Sequence, residues 1–335
     1  MGREEHKEPK RGRKMLLILG GAATLIVASA LVYAYAFGPV TPYASAQQFL
    51  VTPDDSIETI AQKLTESGLV RFPLVFELAY VRESYGHEVR PGGYKLSASM
   101  DAWTIASALV APPAVAWVKV PVGMRREEIG ELLARELGWN EASRQAWLTV
   151  TSAASANYIE GVYFPDTYLI PTDEPPARIA ERMRDRFKEA FAPYADEAVQ
   201  KNIPWTRVLT IASLIQREGG GAYDMPLISG IIHKRLAVGM PLAIDATLQY
   251  IGGKEGTTWW PMPEPAATYP DSPYNTYKRT GLPPRPIASP GLVAIEAALN
   301  PESTNCLFYL HDSKGQIHCS PSYKGHLANI RKYLR

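Results

Sequence analysis

Apolar positions fall into three kinds of pattern along the chain. The first is an unbroken run, Met15–Phe37, with no charged residue inside it. At about 1.5 Å per residue it spans a hydrocarbon core of about 30 Å. The second is helical spacing. Ile57, Ile60, Ala61 and Leu64 recur after Ser56, and Gly68 closes that helix. The same period predicts helices near 73–84, 103–109, 175–191, 227–238, 292–299 and 322–333. The third is short runs bounded by turn residues: Phe49–Pro53, the segment after Arg90-Pro-Gly-Gly, Ala116–Pro121, the aromatic stretch Glu160–Pro171, and a hairpin of 307–311 and 316–320 about a turn at 312–315.

These elements predict an α+β chain. Residues 1–14 form a basic tail, 15–37 a membrane span and 38–46 a short tether. Residues 47–112 form a compact α+β module. Residues 116–335 form a larger mixed α+β domain, within which 116–172 can stand as a separate small lobe. The strand, proline turn and helix of 49–64 are echoed at 116–133, either as a loose repeat or as two uses of a common unit. Residues 252–290 lack periodicity and are rich in Gly, Pro, Trp and Tyr, which marks a mobile or functional loop.

One helix carries a misplaced polar group. Wound at about 100° per residue, 206–218 puts Val208, Ile211, Ala212, Leu214 and Ile215 on one stripe. Glu218 lies within that stripe, whereas Arg217 points away. Desolvation and the negative helix terminus both favour a protonated carboxyl there, as a general acid requires. Gly219–Gly221 end the helix and leave backbone bare beside the acid. The competing reading is a solvated glutamate that frays with the helix end.

Address and charge narrow the function. Arg3, Lys7, Lys10, Arg11, Arg13 and Lys14 precede the apolar run, so that end stays cytoplasmic and the rest lies across the cell membrane. A cleaved signal peptide, with Ala44-Ser45-Ala46 as its site, is the rival, but the run is long for a signal core. A net charge of +1 gives no bulk field for nucleic acid. Six histidines without His-x-x-x-His spacing and only two cysteines argue against a metal site, and no cofactor is expected. Outside the cytoplasm Cys306 and Cys319 can form a disulfide, although a turn at 312–315 would pair residue 310 with 317 or nearby and not set them directly opposite.

Three further clusters carry candidate chemistry: Ile244–Tyr250, then Tyr274–Tyr277 with Gly281–Gly291, then His318 with Ser320. Together with Glu160–Tyr168 and Ala212–Glu218, these phrases resemble those of the endolytic murein transglycosylase (MltG or YceG-like) family. The resemblance runs over nearly the whole chain as anchor, LysM-like module and catalytic domain. Gln216, Lys234, Ala243-Ile244 and the triple glycine depart from the family pattern. The resemblance implies cleavage of the β-1,4 bond between N-acetylmuramic acid and N-acetylglucosamine, with the muramic C6 hydroxyl as nucleophile and a 1,6-anhydro end as product. Glu218 matches the catalytic glutamate. Asp245, Thr247, Asn275 and Tyr277 match positions expected to bind substrate or brace the cleft. Asp245 read structurally is a helix cap, and Asn275 a turn residue. His318 either supports the glutamate or fills a strand face, and the Gly281–Gly291 phrase reads better as a fixed loop. Peptidoglycan strands are the implied partner, with synthases of elongation or division beside them. A non-catalytic wall-binding scaffold is the alternative function and a water-using muramidase a third. A penicillin-binding serine enzyme is disfavoured because Ser-x-x-Lys is absent from the chain.

Overall fold

The computed structural model describes residues 10–265, 269 and 271–334, with backbone alone for 10–18 and 156. Most of the basic tail, and Ala266–Thr268 and Pro270 of the irregular segment, lie outside the described residues. The chain is mixed α+β with antiparallel sheets, and it divides into two compact units after Ala116.

The first unit begins with α1 (Lys10–Phe37), whose Leu19–Phe37 stretch is apolar, unburied and long enough to cross a membrane. Strand β1 (Gln47–Val51) pairs antiparallel with β2 (Gly92–Leu96), with Phe49 opposite Tyr94. Helices α2 (Ile57–Glu66), α3 (Pro73–Glu83) and α4 (Ala102–Val110) cover the pair. Ser56 and Asp101 cap α2 and α4 by accepting from the N–H groups of Thr59 and Thr104. The core is Phe49, Ile60, Leu64, Phe76, Leu96, Ile105 and their neighbours. The expected tether at 38–46 is pinned to this core. Arg71 donates to the carbonyls of Gly38 and Pro39, Ser97 donates to that of Ala44, and Thr41 N–H donates to Ala98.

The second unit starts inside β3 (Val115–Lys119) and continues through α5 (Arg126–Leu137), α6 (Glu141–Ala153), β4 (Thr167–Pro171) and the long α7 (Pro176–Gln200). Helix α6 has no counterpart in the sequence reading, and α7 runs on through Pro193 beyond the expected end. Then come α8 (Trp205–Glu218), α9 (Met225–Ala237), α10 (Asp245–Gly252) and α11 (Leu292–Leu299). The chain ends in the hairpin β5 (Phe308–His311) and β6 (Ile317–Ser320), followed by α12 (Tyr323–Tyr333). Helix α8 is the hub: Val208 through Ile215 are all buried, and α7, α9, α10 and α11 pack on it. Segment 252–290 is largely irregular where described. Its Gly281–Gly291 phrase is held on α8, because Ser213 Oγ accepts from Ile287 N–H at 3.1 Å and Gln216 Oε1 from Gly291 N–H at 3.0 Å. Residue 310 faces 318, next to the expected 317, and a Cys306–Cys319 disulfide ties the base of the hairpin.

Glu160 is a second buried carboxyl in this unit. It accepts from the N–H groups of Arg126 at 3.1 Å and Gly161 at 3.2 Å, and from the Tyr250 hydroxyl at 3.4 Å. It therefore ties the start of α5 to the end of α10. Burial pushes its pKa up to about 8, and the charge on Glu127 adds to this, against Arg125 and Arg126. The native chain thus binds a proton that the unfolded chain releases near the ordinary value of 4.5. The stability tied to that proton is complete below 4.5 and is lost as pH rises through about 8. Glu160→Gln, which keeps the neutral shape, should flatten that loss. Between pH 5 and 8 the wild-type Tm should fall by roughly 5–10 °C more than that of the variant, as scanning calorimetry would read.

Candidate functional site

The site is built where α8, α10 and β5 converge. Glu218 is the last residue of α8, at the end of its buried stripe. One oxygen accepts from the Tyr309 hydroxyl at 2.7 Å. The other face meets the start of α10, where the Ala246 N–H bonds the carboxylate and Asp245 sets a like charge beside it. Desolvation raises the pKa of Glu218 and Asp245 adds to the rise, while Tyr309, Ala246 and His311 partly offset it. Tyr309 is held protonated, its own pKa pushed well up by burial and by Glu218. It remains a donor throughout the working pH range.

Asp224 fixes the floor of the site. Its carboxylate accepts from the N–H groups of Gly220 at 2.8 Å and Gly221 at 3.3 Å, and it lies 2.7 Å from His311 Nε2. The glycine backbone is therefore not bare, as the sequence suggested, but bound to a buried acid. Gly219 leaves the helix with an extended backbone, not a left-handed one. A Cβ at Gly220 would stand 3.2 Å from Asp224 and 3.4 Å from the His311 ring, so the run of glycines lets α9 and the hairpin approach closely.

The sequence-selected residues separate into surface and interior. Asp245 is exposed at the head of α10 and accepts a short hydrogen bond from the Tyr277 hydroxyl. Tyr277 is itself partly exposed. Thr247 and Asn275 are fully buried, and Asn275 Nδ2 has no hydrogen-bond partner. The Thr247 hydroxyl donates to the Ile244 carbonyl at 2.7 Å and lies 2.9 Å from Thr276 Oγ1. Asn275 Oδ1 accepts from the N–H groups of Tyr277 and Lys278 at 3.1 and 3.2 Å. Thr276 joins the two segments, since Ile244 N–H donates to its hydroxyl and Ala243 N–H to its carbonyl. The Tyr274–Tyr277 phrase is thus a clasp that fixes α10 and aims Tyr277 at Asp245.

His318 takes the second of its two readings, that of a strand-face residue. It pairs with Leu310 across the hairpin, on the face opposite Tyr309 and His311. Its ring stacks on Tyr333 of α12 at 3.5 Å, and its Nε2 lies 2.9 Å from Asp312. It packs the terminal helix and does not reach Glu218. The residues that do, Tyr309 and His311, went unselected although alternation along β5 puts both on one face. Arg235 was also missed: a buried guanidinium that donates to the carbonyls of Leu307 and Leu242 and places positive charge near Glu218, Tyr277 and Tyr309. Among the described residues no cluster of His, Cys, Asp and Glu has a metal-binding arrangement.

What this arrangement offers chemically is a carboxyl with a raised pKa, one fixed hydroxyl donor and a second, solvent-facing carboxylate. The chain is 27% identical over 340 residues to a Streptococcus pneumoniae protein named endolytic murein transglycosylase, covering 90% of this chain and 62% of that one. It is 28% identical over 307 residues to the Bacillus subtilis protein of the same name, covering 83% and 82%. The chain thus spans somewhat under two thirds of the pneumococcal relative. The crystal structure of a yceG-like protein from Listeria monocytogenes shares the fold, with a TM-score of 0.62 at 24% identity over 85% of this chain and 98% of that one. A model of the YceG-like family matches residues 49–332, and the chain belongs to that family.

Proposed function

We propose that this chain is a membrane-anchored endolytic murein transglycosylase with Glu218 as its single acid and base. The observation that supports this best is the carboxyl itself: desolvated at the end of α8, bonded to Tyr309 and placed against the start of α10. Protonated, it gives its proton to the leaving glycosidic oxygen. Ionised, it takes the proton of the muramic C6 hydroxyl, which attacks its own anomeric carbon. The anhydro ring closes without water. An intramolecular nucleophile gains from proximity and needs no second carboxylate to activate it. Tyr309 steadies the ionised form between the two steps. Asp245, held by Tyr277, supplies negative charge where the sugar ring becomes positive. Thr247 and Asn275 brace α10 from within, and Tyr277 is the member of its phrase open to a sugar face.

The wider assignment follows from the same reading. Peptidoglycan strands are the substrate, and synthases of elongation or division are the expected neighbours. Helix α1 is kept as a single span with its N-terminus in the cytoplasm, so both units work outside. The β1–α2–α3–β2 part of the first unit, which lies within residues 47–112, acts as a LysM-like glycan-binding module, and residues 116–335 form the catalytic domain.

Asp245 also favours a second reading. A carboxylate beside the acid could activate water, as two-carboxylate glycosidases do. Product ends separate the two. Mass spectrometry of cleaved, uncrosslinked glycan should show anhydro termini, lighter by one water than the reducing termini of a muramidase. Glu218→Gln should lower the rate of their formation by roughly 10²–10⁴-fold while glycan binding persists. An unchanged rate would favour a non-catalytic, wall-binding scaffold whose substrate is cut by another enzyme.

Tyr309→Phe separates the two proton states. Without the hydroxyl, desolvation of Glu218 loses its main opponent, so the carboxyl holds its proton to higher pH. The alkaline limb of kcat/KM should therefore move upward. The rate at neutral pH should fall about tenfold or more as the ionised form loses a charge-assisted hydrogen bond.

A further inference from the structure

Helix α3 is apolar on both sides. Val75, Phe76 and Ala79 enter the core of the first unit. Leu74, Leu78 and Val81 lie on the other side and are 62%, 52% and 75% exposed. At about 100° per residue these three fall within an arc of about 60°. Exposed Phe72 at the N-cap and Tyr85 just past the C-terminus flank them in sequence. Glu77 and Arg82 border this stripe, each about 40° from its edge. A contiguous exposed patch of this kind marks an interaction surface.

Both ends of α3 are tied to the last turn of α1. At the first end, the Phe72 ring lies 6.4 Å from Tyr35. Its neighbour Arg71 sits over the Tyr35 ring at 4.6 Å and donates to the carbonyls of Tyr35, Gly38 and Pro39 at 2.7–2.9 Å. At the far end, Arg82 sits over Trp103 at 5.1 Å, and Trp103 stacks on Phe37 at 5.1 Å. The Trp103 indole N–H also donates to the Tyr33 hydroxyl at 3.1 Å. Helix α3 is about 16 Å long. With both ends held at the same place, it lies across the end of α1 and does not lead away from it. Tyr33, Tyr35 and Trp103 at this junction are residue types that settle at headgroup level.

We propose that the outer face of α3 rests in the interfacial layer of the same bilayer that α1 crosses. Leu74, Leu78 and Val81 enter the acyl boundary, and Arg82 stands at the level of the lipid phosphates. This rests on the reading of α1 as a retained span. A second copy or a protein partner would cover the stripe equally well. Neither accounts for the aromatic junction that ties both ends of the stripe to the exit of the span. With α3 seated, the first unit is held flat on the membrane and does not swing on a tether, and any glycan it grips lies at a fixed short height above the lipid.

Depth-dependent quenching tests this on the full chain in vesicles of phosphatidylethanolamine and phosphatidylglycerol. The chain's only two cysteines are paired with each other, so introduced thiols label selectively. Leu78→Cys and Val81→Cys would carry an environment-sensitive fluorophore. Leu25→Cys within α1 and Glu58→Cys at the exposed start of α2 would serve as references. Doxyl lipids should quench positions 78 and 81 about twofold or more above position 58, with blue-shifted emission, as interfacial depth requires. Quenching at 25 with 78 and 81 no higher than 58 overturns the inference and leaves the anchor intact. Blue-shifted emission at 78 without lipid quenching means that protein covers the stripe, and also overturns it. Absence of quenching at 25 removes the anchor, and the inference with it.

Discussion

Everything at the site depends on withholding water from one carboxyl. Helix α8 is buried from Val208 to Ile215, and half-buried Glu218 ends the helix a turn later. An ion there costs more than it would in water, so the carboxyl holds its proton to higher pH than usual. The surrounding polar groups keep that cost within bounds. Tyr309 and the Ala246 N–H stabilise the anion, while Asp245 opposes it. The balance is a group that accepts either charge state, which is what an acid that must later act as a base requires.

The fold serves this balance through α10. Its first residues face Glu218, and its last turn reaches Glu160 through Tyr250. Arg125 donates to the Tyr250 carbonyl at 3.1 Å and stacks on its ring at 4.2 Å. The clasp of Asn275 and Thr276 holds the helix from the side. A short helix with little intrinsic stability is thereby located at both ends and along one flank. Asp224 does the same for the glycine turn after α8, so the hairpin carrying Tyr309 cannot drift from the acid.

Much of this was legible in the chain, for physical reasons that differ by element. Amphipathic helices announce themselves by period, and α2, α8 and α12 lie within a few residues of where the spacing puts them. Glu218 stood out because a carboxylate on an apolar stripe violates the pattern. Side-chain burial in the irregular segments was not legible. Thr247 and Asn275 were expected to line or brace the cleft, and their burial was not legible: Thr247 bonds the Ile244 carbonyl and Thr276, and Asn275 Oδ1 accepts from backbone. His318 was left open between supporting the glutamate and filling a strand face, because that choice depends on strand register, which pairs it with Leu310. Correct register would have exposed Tyr309 and His311. The second carboxylate, Asp245, was visible in sequence but its nearness to Glu218 was not, since that depends on the packing of α10 against α8.

The most direct measurement is the titration of Glu218 itself. Isotope-edited infrared spectroscopy of glutamate-labelled protein, with Glu218→Gln subtracted, isolates its carboxyl band. The account predicts a protonated carbonyl band that persists above the ordinary value of 4.5. Conversion to carboxylate at or below that value would contradict it.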